Sequence, residues 1–383
     1  MTKPDQIKRS PAKNLLFTVI LFVFLFLLIE VVLSVYLYHR KTDENLATVE
    51  AVKLIKTIIK GQPNPVNLSN QNLARPDSSE AINKQIAEET HLSNKFEYEP
   101  WVEFRNINYE GKYVNVDHSV RKSVPDTYIS SGSADTIDIY FFGGSTMFGF
   151  NVADAETIPS QFVQQYKERY PAGKSVRVHN FATPTYYSYQ ELIQFANLFF
   201  KGHRPDIVIF LDGVNDFWFS KTSYYDQSYF SYILRQVFDQ ELMSTGKFQL
   251  RDSADKLFQD PTDIPLEQYN RQLIDNYYRN INNIKMMAEL AGAKSYFFCQ
   301  PVPFYNYPNQ ENDPICFKDQ DTRFTNIYPV IEKDTDKLPN FSFLGNMLED
   351  EKGYPFVDGL HYAPAFIKKI SARMLVAVEK DLR

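Results

Sequence analysis

Three short stretches, far apart in the chain, hold side chains of the types that acyl-transfer chemistry uses. The first is FFGGSTMFGF, in which Gly143 and Gly144 precede Ser145 and Gly149 follows. A glycine-rich turn after an apolar run exposes a serine hydroxyl and its backbone N–H at the carboxyl end of a sheet, where open α/β folds collect their ligands. That is nucleophile geometry, although a plain serine turn is built from the same residues. The phosphate-loop pattern with its lysine is absent, and Thr146 and Met147 depart from the G-x-S-x-G elbow. The second stretch, LDGVNDFW, sets Asn215 two residues after Gly213. An amide there can donate to a developing oxyanion, or merely cap a turn. The third, VDGLHYAP, sets Asp358 three residues before His361. A carboxylate at that spacing can hold one imidazole nitrogen while the other faces outwards, and a purely structural Asp–His pair has the same signature.

These residues need a scaffold that brings strand ends together. Short apolar runs, IDIYFF at 137–142, VRVHN at 176–180, DIVIFL at 206–211 and KSYFFC at 294–299, alternate with helix-period segments from about Thr136 onwards. The intervening helices are marked by Ile158, Phe162, Val163 and Tyr166, by Leu192, Phe195 and Phe199, and by Leu266 through Ile284 up to Gly292. A last helix runs from Ala365 to about Leu382. This is the pattern of β-α units around a mainly parallel sheet, hence an α/β fold. Two segments break the rhythm, 217–265 and 301–345, and loops of that length are lids or binding surfaces or carry their own elements. Their aromatics can stack on sugar rings, cover an acyl chain, or pack the insertions onto the core.

The order of the blocks resembles the SGNH (GDSL-type) hydrolases. FGGSTMFG corresponds to their first block, with Gly144 where many members have Asp; Gly213 to Asp216 corresponds to the third, and Asp358 to His361 to the last. The resemblance spans roughly residues 136–383. It implies a flavodoxin-like three-layer α/β/α sandwich, with Ser145, His361 and Asp358 as catalytic residues. It also implies an oxyanion hole made by the N–H of Ser145, the N–H of Thr185 and the amide of Asn215. In the second block, VHNFATPTYYSYQEL, Thr185 stands where the family has glycine. A backbone N–H survives that change, but a β-branched residue is strained if the position needs positive φ.

Ahead of this domain, Leu15 to Tyr38 contain a single ionisable side chain, Glu30. As a helix the stretch is about 36 Å long, enough to cross a bilayer. With no cleavage pattern after it, it reads as an uncleaved signal anchor behind a basic tail, 1–14. Lysines and arginines flank it almost equally, and the compact N-terminal cluster favours a cytoplasmic N-terminus with the main domain outside. An acid within the span faces a partner helix, a wet cavity or the protein interior, or is protonated. Residues 39–95 have linker composition and read as a stalk, so the catalytic domain is expected at 96–383.

The whole chain of 383 residues is 44% hydrophobic with a net charge of −6, which excludes a basic nucleic-acid-binding field. Two cysteines, Cys299 and Cys316, exclude a disulfide scaffold and a four-cysteine zinc site, leaving one optional disulfide. The expected protein is a membrane-anchored serine esterase acting on an acylated carbohydrate or lipid, requiring no cofactor. Two alternatives use the same fold: an O-acyltransferase for a cell-surface polysaccharide, and a non-catalytic carbohydrate-binding or assembly protein.

Overall fold

The computed structural model describes residues 80–130, 135–218, 265–318 and 322–382. The chain divides after Asn67, and every described residue belongs to the unit Leu68–Arg383. The basic tail, the predicted span Leu15–Tyr38 with Glu30, the stalk up to residue 79, and 219–264 of the first insertion lie outside the described residues. Among the described residues no helix is long and apolar enough to cross a membrane.

The first element is helix α1 (Glu80–Ser93), inside the stretch whose composition reads as stalk. It buries Ile86 and Ala87, and its Glu89 carboxylate accepts the backbone N–H groups of Tyr113 (2.7 Å) and Val114 (3.0 Å). The folded body therefore starts ahead of residue 96. A helix docked through a buried carboxylate leaves no clear apolar stripe to read. Short strands follow: β1 (Phe96–Glu99) pairs antiparallel with β2 (Glu103–Asn106) as a separate ribbon. Next come β3 (Tyr109–Glu110), β4 (Asn115–Asp117), β5 (Val120–Arg121) and β6 (Thr127–Tyr128).

The α/β body then unfolds in order: β7 (Thr136–Gly143), α2 (Ser145–Phe148), α3 (Ile158–Arg169), β8 (Ser175–Asn180), α4 (Ser188–Phe200), β9 (Ile207–Asp212) and α5 (Val214–Trp218). After these come α6 (Leu266–Ala291), β10 (Lys294–Cys299), α7 (Thr322–Lys333), β11 (Phe341–Phe343) and α8 (Pro364–Leu382). β7 pairs in parallel with β8 on one side and β9 on the other, and β10 and β11 continue the parallel array beyond β9. Counted along the chain, these parallel strands are ordered 2-1-3-4-5, a doubly wound arrangement whose switch point falls between β7 and β9. On the far side of β8, β5 and β6 add antiparallel pairs, with Arg121 opposite Asn180. β11 and α7 come from the 301–345 insertion, so this segment extends the sheet and its cover.

Alternation along β7 sends Ile137, Ile139 and Phe141 to one face and Tyr140 and Phe142 to the other, and all are buried. The first face is covered by α3 and α8, the second by α4, α6 and α7. Burial on both sides explains why the strands read as continuous apolar runs. Phe141 and Phe162 meet edge to face at 5.4 Å, and truncating either to alanine would cost about 3–5 kcal/mol. Cys299 and Cys316 are both buried free thiols.

Candidate active site

β7 and β9 end side by side at the switch point, and each delivers one of the singled-out residues. Ser145 opens α2 directly after β7, and Asn215 lies in α5 directly after β9. As the first residue of a helix, Ser145 has no intrahelical acceptor for its N–H. Gly144 lets Asn215 approach closely: a Cβ would lie 2.4 Å from Nδ2 of Asn215 and 3.0 Å from the Tyr186 carbonyl oxygen, so the amide would have to shift.

His361 reaches Ser145 from the loop before α8. Its Nε2 lies 2.7 Å from the Ser145 hydroxyl, and its Nδ1 lies 2.7 and 2.8 Å from the two carboxylate oxygens of Asp358. The loop holds itself in shape: Asp358 Oδ1 accepts the N–H groups of Leu360 (3.0 Å) and His361 (2.8 Å), and Val357 N–H donates to the His361 carbonyl at 2.8 Å. Burial by itself would raise the Asp358 pKa. The facing imidazole and the donated N–H bonds outweigh it, and the carboxyl sits below the ordinary carboxylate range.

The loop after α2 completes this arrangement with two residues that sequence reading passed over. Asn151 donates from Nδ2 to Asp358 Oδ2 at 2.6 Å, and the Phe150 ring stacks on the His361 imidazole at 4.6 Å. Asn151 has φ +61, a left-handed conformation that asparagine tolerates better than most residues. Arg121, fully buried, grips the same loop. It pairs with Asp154, donates to the Val152 carbonyl at 3.1 Å and lies over the Phe148 ring at 5.3 Å. The small antiparallel extension of the sheet thus braces the segment that braces the Asp358–His361 pair.

Thr185 lines the same cleft with φ +72. The left-handed backbone at this position is therefore real, and a β-branched residue carries it. A turn closed by Tyr186 N–H on the Thr183 carbonyl (3.1 Å) sets that conformation, and the Tyr186 hydroxyl anchors it to the Phe104 carbonyl of β2. Asn215 ties in from the other side, donating from Nδ2 to the Tyr186 carbonyl at 2.6 Å. Nδ2 carries two hydrogens, so one remains available to the cleft.

Behind Asn215 lie three buried acids. Asp216 accepts from the Ser188 N–H (3.3 Å) and hydroxyl, and burial pushes its pKa up to about 6 against those bonds. Burial first, then neighbouring carboxylates, hold Glu191 and Asp212 well above the ordinary range.

The cleft measures about 480 Å³ and is lined by Ser145, Asn151, Thr185, Asn215, Asp358 and His361 together with Phe150, Trp218, Ile315, Phe317, Gly359 and Leu360. All five predicted site residues are thus brought to one place. The aromatic walls carried no marker in the sequence beyond their composition. A larger groove of about 1020 Å³ along the start of α6 contains none of the predicted residues. Among the described residues, no three His, Cys, Asp or Glu side chains converge as metal ligands.

No family model matches the chain, and no curated protein matches it. Several solved structures are similar. A lipase/acylhydrolase from Enterococcus faecalis aligns at 15% identity over 64% of this chain and 97% of its own, with a TM-score of 0.39. A psychrotrophic esterase from Pseudoalteromonas aligns at 12% identity over 63% and 97%, with a TM-score of 0.34. A GDSL-like lipase from Bacteroides thetaiotaomicron aligns at 15% identity over 64% and 89%, with a TM-score of 0.32.

Proposed function

We propose that this chain is a serine esterase of the SGNH type, anchored by Leu15–Tyr38 with its α/β body outside the cytoplasm. The observation that carries the catalytic reading is the continuous relay from Asp358 through His361 to Ser145, each step a hydrogen bond of 2.7–2.8 Å. The anchor and its orientation rest on the sequence alone.

In the proposed reaction His361 Nε2 removes the Ser145 proton as Oγ attacks an ester carbonyl carbon. Asp358, an anion held in place by Leu360, His361 and Asn151, fixes the imidazole so that Nδ1 carries hydrogen and Nε2 is free to accept. The carbonyl oxygen becomes an oxyanion facing the N–H of Ser145, the N–H of Thr185 and the Asn215 amide; one such donor is typically worth about 3–4 kcal/mol in the transition state. Imidazolium then hands its proton to the leaving alcohol oxygen, the C–O bond breaks, and an acyl-serine remains. Water, deprotonated by His361, attacks the acyl carbon; the C–Oγ bond breaks, the carboxylic acid leaves, and the imidazolium returns its proton to Ser145 Oγ.

A fluorophosphonate probe tests this directly, because it reacts only with an activated serine. The full chain in mild detergent is expected to label, and Ser145→Ala and His361→Ala to lose labelling. Labelling that persists in Ser145→Ala would end the proposal.

A further inference from the structure

The polar groups that line the cleft are already engaged with one another or assigned to the reaction. Asn151 is bonded to Asp358, Asp358 to His361, and His361 to Ser145, while Thr185 and Asn215 form the oxyanion side. No lysine or arginine is among the described lining residues. What remains is Phe150, Trp218, Ile315, Phe317 and Leu360, with the bare backbone of Gly359. The described wall holds no cationic side chain to pair with a phosphate or carboxylate, which favours an uncharged group beside the reacting ester.

Phe317 is the built part of this wall. Its N–H donates to the Gly359 carbonyl at 2.9 Å, and its own carbonyl accepts from Gln310 Nε2 at 2.9 Å. Its ring lies so close over Gly359 that a Cβ there would be 2.5 Å from Cε1 and from Cζ. The ring is nearly parallel to Phe304, at 5° and 6.4 Å between centroids, and Trp218 stands beside it at 6.4 Å. Held this way, Phe317 is nevertheless 48% exposed. A large aromatic ring packed against Gly359, Phe304 and Trp218, on a backbone held by Gly359 and Gln310, and left half-exposed in the cleft of the nucleophile is a flat, rigid platform.

Its position says which half of the ester it meets. His361 must reach the leaving oxygen to protonate it, so the alcohol lies on the His361 side of Ser145, and the carbonyl oxygen on the side of Thr185 and Asn215. Gly359 is two residues before His361, and Phe317 covers it. We infer that Phe317, flanked by Trp218, forms the leaving-alcohol subsite, and that the alcohol it takes is an uncharged sugar ring. A pyranose has a face of C–H bonds that complements the negative face of an aromatic ring, which a flexible chain does not require. This inference rests on the esterase reading and goes beyond it by naming the alcohol.

The test compares a monoacetylated methyl glucoside with vinyl acetate, an acetate whose alcohol has no ring. The full chain is assayed as wild type, as Phe317→Leu, which keeps apolar bulk but loses the flat face, and as Phe317→Tyr, which keeps it. Phe317→Leu is expected to raise KM for the sugar acetate about tenfold, the size of one lost stacking contact. It is expected to change vinyl acetate turnover far less than it changes the sugar KM, and Phe317→Tyr to restore the sugar KM. Equal losses on both esters, or no loss on either, overturn the platform while leaving the esterase reading intact. So does a Phe317→Leu effect that follows acyl length in ringless esters, which would put the ring on the acyl side. Absence of both labelling and hydrolysis in wild type overturns the two readings together.

Discussion

Asn151 donates a 2.6 Å hydrogen bond to Asp358 across 207 positions of sequence, and this one bond joins the loop behind the nucleophile to the loop that carries the base. It satisfies the Asp358 oxygen that the backbone N–H groups of Leu360 and His361 leave to the side chains. Phe150, its neighbour, presses on the imidazole that the same carboxylate orients.

Replacing Asn151 should therefore change how the base behaves as well as how fast it works. Asn151→Ala is expected to lower kcat by about tenfold, the loss of one hydrogen bond to a charged group. Asn151→Asp brings a second negative charge towards His361, which favours imidazolium and moves the acidic limb of the pH–rate profile to higher pH. The profiles of kcat/KM for wild type and both variants check this. An unshifted limb in Asn151→Asp would show that the amide only supports the loop.

Thr185, at φ +72, stores strain that glycine would not. Thr185→Gly is expected to raise stability by about 0.5–1 kcal/mol, the αL penalty less the extra entropy of glycine in the unfolded chain. Activity should be retained, because the N–H stays. Urea unfolding of the two proteins, followed by tryptophan fluorescence, measures the difference. A Thr185→Gly protein less stable than wild type would mean that the threonine side chain stabilises the loop by more than its backbone costs.

Asp216 makes the stability depend on pH in a stated direction. Its folded pKa of about 6 lies above the ordinary carboxylate value of 3.8, so the folded state binds the proton more tightly than the unfolded chain does. Its contribution to stability is thus most favourable below the ordinary value and falls as pH rises to about 6, by up to about 1.4 kcal/mol per unit crossed, then levels off. Asp216→Asn cannot ionise and can still accept from Ser188. Unfolding midpoints at pH 4.5 and 7.5 should show the variant gaining on wild type at the higher pH.

Arg121 and Asp154 form a buried ion pair on the brace behind Asn151. Removing one member of such a pair costs about 3–5 kcal/mol because the other is left uncompensated. Arg121→Met is expected to destabilise in that range and to reduce kcat through the 149–154 loop, and the double variant Arg121→Met, Asp154→Leu to recover part of the stability. Denaturation of the single and double variants in parallel gives the coupling.

Much of the central architecture is legible in the residue order. Runs such as 137–142 and 206–211 are apolar without interruption because both faces of the sheet are covered, and Ser145 and Asn215 stand out because glycines mark the strand ends that present them. The brace is not legible. β3, β5 and β6 have two residues each, too few for any periodicity, and Arg121 reads as an ordinary surface charge until its partners are seen. Asn151 and Phe317 owe their positions to contacts with Asp358 and Gly359, over separations that local pattern does not span. At Thr185 the resemblance singles out the residue, but a β-branched side chain gives no local sign of a left-handed backbone.

Among the described residues, both borders of the main sheet end in very short strands, β3 with two residues and β11 with three. Each border offers few unpaired N–H and C=O groups as a template for a neighbouring molecule, a common natural defence against edge-to-edge aggregation. Neither border therefore provides a long template along which the sheet of one copy could continue into the next.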